Sequence, residues 1–197
     1  MTAILLASSS QYRRQLIEKL GISVDFDKPE IDETPLPQEF PEDLAKRLSM
    51  SKAEALRETY PNHFIIGSDQ VAELEGELLG KPGNHSSATR QLQTARGKIM
   101  HFHTGIALLN ASTGKIQYRC SRYQVKFRQL TDAQIDSYLK KETPYDCAGS
   151  FKSEGLGIAL FEYIRGDDPN SLVGLPLIQL TDMLSNEGID VLTGSNL

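Results

Sequence analysis

Cysteine is scarce in this chain: the two copies, Cys120 and Cys147, stand far apart and form no CxxC pattern. They suit a reducing compartment better than a disulfide scaffold. Long apolar runs are missing too. No stretch approaches the ~18 residues that a membrane span needs, and Met1 to Leu6 has no basic region ahead of Ser8-Ser9-Ser10. Neither a signal peptide nor a membrane segment is expected, which points to the cytoplasm. Nor is there an excess of positive charge. With a net charge of −5, bulk attraction to nucleic-acid backbones is not expected, and any anion site must be a local cluster of Lys and Arg. The chain has no internal repeat, no low-complexity linker and no clear domain boundary. What remains is an ordinary globular composition, 39% hydrophobic and 24% charged over 197 residues. It predicts a single domain over residues 1–197, large enough to bury a sizeable core and to form two lobes.

Three stretches stand out from that background. The first is Phe64-Ile65-Ile66-Gly67-Ser68-Asp69-Gln70-Val71-Ala72. Its apolar run reads as a strand buried on both faces, with a bend at Gly67-Ser68. Asp69 then stands at the strand's end, where α/β proteins commonly place ligands; the plain alternative is a solvated turn acid. The second stretch is the N-terminus. Ala3 to Ala7 reads as a strand, followed by Ser8-Ser9-Ser10 and a helix from Gln11 to Leu20 closed by Gly21. Serine hydroxyls, free N–H groups and two arginines at a helix start can form a phosphate site, although no Walker-type glycine pattern backs it. The third stretch, Tyr145 to Gly157, holds three glycines, two serines, a lysine and two acids. Such a loop can approach a ligand closely, or be a flexible surface loop.

Between these lie weaker signals. Ile22 to Phe26 alternates like a strand, and Asp32-Glu33 between prolines can offer hard oxygen ligands or simply be solvated. Pro41 to Tyr60 predicts a helix with Leu44, Ala45, Leu48, Ala55 and Leu56 on one face. Lys52 interrupts that face, so it either snorkels outward or points inward. Gly80-Lys81-Pro82-Gly83 restrains the backbone around one lysine, a setting that can aim an ammonium at a phosphate. Val71 to Leu74 and Leu78-Leu79 read as strands around Glu75-Gly76, and a short helix covers Ser86 to Arg96. Ile99 to Leu109 and Ile116 to Phe127 read as a hairpin, on which His101 and His103 share a face as ordinary strand histidines without a third metal ligand. Thr131 with Gln134 predicts a capping box that opens a helix through Lys141. Ile158 to Ile164 reads as a strand, and Leu172 to Leu184 as an apolar loop and helix.

Taken together, Leu6-Ala7-Ser8-Ser9-Ser10-Gln11-Tyr12-Arg13-Arg14, Asp32-Glu33-Thr34, Gly67-Ser68-Asp69-Gln70-Val71 and Leu79-Gly80-Lys81-Pro82 resemble the Maf family of nucleotide pyrophosphatases over almost the whole chain. One departure is Gln11, where the family usually has proline. Tyr12, Gln70 and the Ser150 to Gly155 loop with Glu154 resemble the branch acting on 7-methyl-GTP; the dTTP/UTP branch tends to carry Gln at the position of Glu154. Physical chemistry favours the same branch. A 7-methylated guanine is cationic and suits the face of Tyr12, and the carboxylate of Glu154 can accept both N1–H and N2–H.

The resemblance implies an α/β fold with a strongly curved mixed β-sheet, flanking helices and two lobes around a deep cleft, often as a homodimer. It implies hydrolysis of 7-methyl-GTP between the α and β phosphates to 7-methyl-GMP and pyrophosphate, a house-cleaning activity on modified nucleotides. Asp69 would be the proton acceptor, directly or through a metal-bound water. Ser8, Ser10, Arg13, Lys52 and Lys81 would bind the phosphates, and Tyr12, Gln70 and Glu154 would set specificity. Glu33 and Asp69 would hold Mg²⁺ or Mn²⁺. The rival readings are the same chemistry on dTTP or UTP, and a non-catalytic nucleotide-binding regulator of cell division. A nucleic-acid-binding module fits least, because the chain is acidic and has no basic stripe.

Overall fold

A computed structural model describes residues 3–193 of the chain. The remaining ends of the expected domain, residues 1–2 and 194–197, lie outside the described residues. Among the described residues, seven strands form one mixed sheet: β1 (Ala3–Ala7), β2 (Asp25–Asp27), β3 (His63–Leu74), β4 (Glu77–Leu79), β5 (Ile99–Asn110), β6 (Ile116–Phe127) and β7 (Phe161–Arg165). Their order is β2-β1-β3-β5-β6-β7, with β4 antiparallel to β3. Five helices accompany them: α1 (Gln11–Glu18), α2 (Pro41–Glu54), α3 (His85–Ala95), α4 (Asp132–Glu142) and α5 (Leu177–Ser185). The mixed α/β class expected from the sequence is what the chain forms. It gathers into two compact units, the first made of the chain up to Asp69, Thr104–Ser121 and the chain from Asp168 onward, the second of Gln70–His103 and Arg122–Asp167.

In the first unit, β1 pairs in parallel with both β2 and β3, and its residues alternate between two apolar layers. Ile4 and Leu6 join Leu16 and Ile17 of α1, Ile66 of β3 and Leu180, Met183 and Leu184 of α5. Leu5 and Ala7 join Ile65 of β3 and Ala53 of α2 on the other side. A strand covered by helices on both faces needs apolar residues at every position, which is why β1 reads as an unbroken run.

The bend predicted at Gly67-Ser68 is absent. β3 runs without interruption from His63 to Leu74, so Asp69 lies within the strand and not at its end. Gly67 serves a different purpose. A Cβ there would lie 2.8 Å from the backbone nitrogen of Ala53 and closer still to the carbonyl oxygen of Ser49. Gly105 of β5 is similar: its Cβ would stand 2.5 Å from Ser49 Oγ and 2.6 Å from the Ala45 oxygen. Opposite these two glycines, α2 presents a small-residue stripe, Ala45, Ser49 and Ala53, spaced four apart and fully buried. Two bare strand positions facing small helical ones let α2 sit unusually close to the sheet. The expected helix face holds at Leu44, Ala45, Leu48 and Leu56, which are buried, and is corrected at Ala55, which is exposed beyond the end of α2 at Glu54, while Ser49 and Ala53 join the packing.

The second unit is built around four aromatic rings. Phe102, Phe127, Phe151 and Phe161 meet edge to face with centroids 4.8 to 5.8 Å apart, the arrangement that ring quadrupoles favour. The capping box expected for α4 is present, with Thr131 and Gln134 bonded reciprocally. Two strand expectations shrink. β2 covers only Asp25–Asp27, and Leu156–Leu160 is a 3₁₀ segment, so β7 starts at Phe161.

Candidate active site

Strand alternation decides which way Asp69 points. Ile65, Gly67 and Asp69 occupy every second position of β3, on the face against α2. The backbone N–H of Asp69 donates to Ser49 Oγ (3.1 Å), and that hydroxyl donates on to the Ala45 carbonyl (2.5 Å). This pins the strand to the helix one turn before Lys52. Lys52 is 6% exposed, so it does not snorkel. Its Nζ reaches Asp69 Oδ1 at 2.6 Å and Glu33 Oε1 at 2.8 Å. A buried ammonium bridging two carboxylates keeps its charge compensated, which an apolar helix face alone could not do.

Glu33 arrives on a loop held by its neighbours. Thr34 N–H donates to Asp32 Oδ1 (2.9 Å), and Arg47 of α2 donates to the Thr34 carbonyl (3.0 Å) while gripping Glu39 in a two-pronged pair at 2.7 and 2.8 Å. Asp32 is thus spent on its own turn, and of the two adjacent acids only Glu33 turns to Lys52.

On the other face of β3, Ser68 Oγ is within bonding distance of the carbonyls of Gly105 (2.8 Å) and Gly174 (3.0 Å). The Gly174 carbonyl also accepts from Arg13 Nε at 2.8 Å. That bond leaves the terminal Nη groups of Arg13 out of the contact. The protein around Arg13 depresses its pKa by desolvation, which Asp69 and Glu33 oppose with their negative charge; a guanidinium keeps its proton regardless. Its neighbour Arg14 goes elsewhere, lying over the Phe26 ring at 4.8 Å. Ser10 caps α1 by accepting from Arg13 N–H (3.4 Å), and Ser8 Oγ accepts from Ser10 N–H (3.1 Å). Both hydroxyls act as acceptors in these bonds, so their protons remain available to an anion. Tyr12, half-buried, stands in the same first turn of α1.

Gln70, Lys81 and Glu154 belong to the second unit. Gln70 follows Asp69 on β3 and projects to the opposite strand face. Lys81 is exposed on a loop fixed at both sides, where the Gly80 carbonyl accepts from Gln91 (3.0 Å) and Gly83 N–H donates to Tyr145 (2.9 Å). The same Gln91 side chain accepts from Ser150, so one residue of α3 ties the Lys81 loop to the loop that carries Glu154. Glu154 is exposed, yet its flanks are held: Lys152 Nζ donates to the Glu142 carbonyl (3.1 Å), and Leu156 N–H donates to Glu142 Oε1 (2.9 Å). The Tyr145 to Gly157 segment is therefore an anchored loop, with Phe151 buried in the aromatic cluster.

Glu33, Lys52, Asp69 and Arg13 are brought together, while Ser49, Gly174, Arg47, Gln91 and Glu142 support the predicted residues without having been singled out. Ser49 could have been found from its place in the stripe Ala45-Ser49-Ala53. Gly174 and Gln91 carry no local signal. Among the described residues no group of three or more His, Cys, Asp or Glu is placed to hold a metal. The pair Glu33 and Asp69 nonetheless suits a hard cation, because both carboxylates already converge on one positive centre. Mg²⁺ is commonly held by one or two carboxylates plus substrate phosphates.

The chain matches the model of the family described as Maf-like protein over residues 3–187. The chain belongs to the Maf family. It is 52% identical over 189 residues to the 7-methyl-GTP pyrophosphatase of Nitrosococcus oceani, covering 96% of this chain and 95% of that one. It is 53% identical over 191 residues to the 7-methyl-GTP pyrophosphatase of Pseudomonas syringae pv. tomato, covering 97% and 100%. The protein of that name from Methylobacillus flagellatus is 52% identical over 192 residues, covering 98% and 100%. Among solved structures, the Staphylococcus aureus Ham1 protein is similar with a TM-score of 0.48 and 15% identity, over 65% of this chain and 73% of that one. Of the described residues, no helix of this Maf protein is long and apolar enough to cross a membrane.

Proposed function

We propose that this chain hydrolyses 7-methyl-GTP to 7-methyl-GMP and pyrophosphate. The observation that carries the reading is identity of about 52% over nearly the full length to three proteins named 7-methyl-GTP pyrophosphatase. In the reaction, water adds to phosphorus as the α–β anhydride bond breaks, and the pyrophosphate leaves with its charge neutralised.

The residue roles follow from chemistry. Asp69 Oδ1 is engaged by Lys52, so Oδ2 is the oxygen that takes the proton of the attacking water. Lys52, Arg13 and Lys81 neutralise phosphate charge, and Ser8 and Ser10 donate hydrogen bonds. Glu33 and Asp69 would hold a divalent cation, Mg²⁺ or Mn²⁺, which would supply charge neutralisation at the phosphates. Tyr12 offers its ring to the cationic base, and Glu154 accepts from the guanine edge, with Gln70 contributing to the choice of base.

Pyrophosphate release from 7-methyl-GTP, GTP, dTTP and UTP, with Mg²⁺ or Mn²⁺, tests the reading in wild type and Asp69→Asn. The highest kcat/KM is expected with 7-methyl-GTP, together with loss of release in the variant despite retained binding. A preference for dTTP or UTP would overturn the base assignment, and full activity of Asp69→Asn would overturn the catalytic one.

A further inference from the structure

A pocket of about 490 Å³ lies wholly within the second unit, apart from every residue assigned to the reaction. Its walls come from four adjacent strands: Glu73 of β3, His101 and His103 of β5, Arg122 and Gln124 of β6, and Arg165 at the end of β7. Alternation explains the grouping. On β5 the two histidines flank Phe102, which is 1% exposed and part of the aromatic core; on β6 Arg122 and Gln124 flank Tyr123, which is 6% exposed. The core-facing positions of these strands are aromatic, and the positions between them are cationic or hydrogen-bonding.

Three observations define what such a pocket can take. Charge is the first: two arginines and one carboxylate line the pocket together with two histidines, in a chain whose net charge is −5. That carboxylate, Glu73, is engaged by His103 at 3.3 Å, and His103 Nδ1 is buried without a hydrogen-bond partner among the described residues. A hydrogen-bonding ligand that reaches Nδ1 would satisfy it. The second observation concerns the aromatic faces. Phe102 and Tyr123 touch the pocket but are buried, and Gly166 lies directly on the Tyr123 ring, where even a Cβ would clash. No ring face is offered for stacking, so nothing here favours a nucleobase. The third is the donor set. No three metal-ligating side chains converge among the described residues, whereas guanidinium and imidazole N–H groups are donors that suit phosphate oxygens.

We propose that this pocket is a second anion site, distinct from the Asp69 site, and that it takes a free inorganic oxyanion of the phosphate class, phosphate or pyrophosphate. Its volume of about 490 Å³ exceeds that of a single phosphate and leaves room for pyrophosphate with bound water. The ligand is held by Arg122 and Arg165 from two strands and by the imidazoles of His101 and His103 from a third.

The test is a titration of the full-length Asp69→Asn chain, labelled with ¹⁵N in its histidines, followed through the imidazole resonances. Inorganic phosphate, pyrophosphate and GMP are the three probes. The expected result is a saturable shift of His101 and His103 with pyrophosphate, weakened at least ~10-fold in affinity by Arg165→Ala and unchanged by Arg13→Ala. Arg165 is exposed and its side chain lies over the Tyr163 ring at 4.4 Å, so its removal leaves the core intact. Resonances that stay fixed up to about 10 mM pyrophosphate, a millimolar ligand being only marginally bound, would overturn the proposal. So would identical titrations of the parent and Arg165→Ala, or tighter binding of GMP than of pyrophosphate. Because Arg165 has no role in turnover, an otherwise wild-type Arg165→Ala chain should hydrolyse 7-methyl-GTP at the wild-type rate. Failure of the pocket and failure of the proposed activity are therefore read separately.

Discussion

Replacing Gly67 by alanine tests how the Asp69–Lys52 pair is assembled. The added Cβ would lie 2.8 Å from Ala53 N and even nearer the Ser49 carbonyl oxygen, against about 3.4 Å for ordinary contact. Both obstacles are backbone atoms of α2, so no side-chain rotation relieves the clash and the helix must back away from β3. Overpacking of this kind costs about 1–3 kcal/mol, and an obstacle made of backbone belongs at the upper end. Alanine recovers about 0.4–1 kcal/mol by restricting the unfolded chain. The expected net loss is therefore about 2 kcal/mol, a fall of roughly 4–8 °C in Tm for a chain of this size. A helix displaced by about 1 Å also stretches the 2.6 Å contact of Lys52 with Asp69, and misplacement on that scale can lower turnover by ~100-fold. Urea unfolding would read the first effect as a shift of midpoint at constant slope, and pyrophosphate release from 7-methyl-GTP the second. Gly80→Ala is the stability control, since nothing lies within 4 Å of its Cβ. A Gly67→Ala chain within ~0.5 kcal/mol of wild type and equally active would refute the argument that close approach of α2 builds the site.

Lys52→Met leaves Asp69 buried without its cation and is expected to cost about 3–5 kcal/mol by urea unfolding, with turnover lost; unchanged stability would mean that Asp69 is solvated. Glu154→Gln keeps the shape but gives up a charged acceptor worth about 1.5–3 kcal/mol, so the kcat/KM ratio of 7-methyl-GTP to dTTP should drop by ~10–100-fold. An unaltered ratio would remove Glu154 from base recognition. The pH dependence of stability is set in part by Glu39, whose pKa is lowered first by its hydrogen bonds with Arg47. A carboxylate with a depressed folded pKa contributes stability above its unfolded value of about 4.3, and that contribution disappears as the pH falls through the folded value. Glu39→Gln should therefore be less stable than wild type at pH 7, with the gap closing below about pH 4; a gap that stays constant with pH would exclude the ion pair as its cause.

Much of the site was legible because its signals are local. Ser10 caps α1, and Thr131 and Gln134 form the capping box that their spacing predicts, because capping depends only on residues within one turn. The lysine interrupting the α2 stripe was visible as an anomaly, but its direction was not. Snorkelling and burial are equally compatible with the spacing, and only the carboxylates of Asp69 and Glu33, brought by two other segments, decide between them.

The sequence by itself determined the class of structure, the helices with strong caps, and the residues able to do phosphate chemistry, since composition, periodicity and side-chain type are carried along the chain. Tertiary structure decided what Gly67 is for. A glycine before a serine reads as a bend, and only the backbone of α2 lying across it shows that the missing Cβ makes room for a helix. It also decided that Asp32 serves its own turn while Glu33 reaches Lys52, and that Arg13 and Ser68 share the carbonyl of Gly174. These contacts join residues up to 161 positions apart in the chain, and no local preference encodes a partner at that distance.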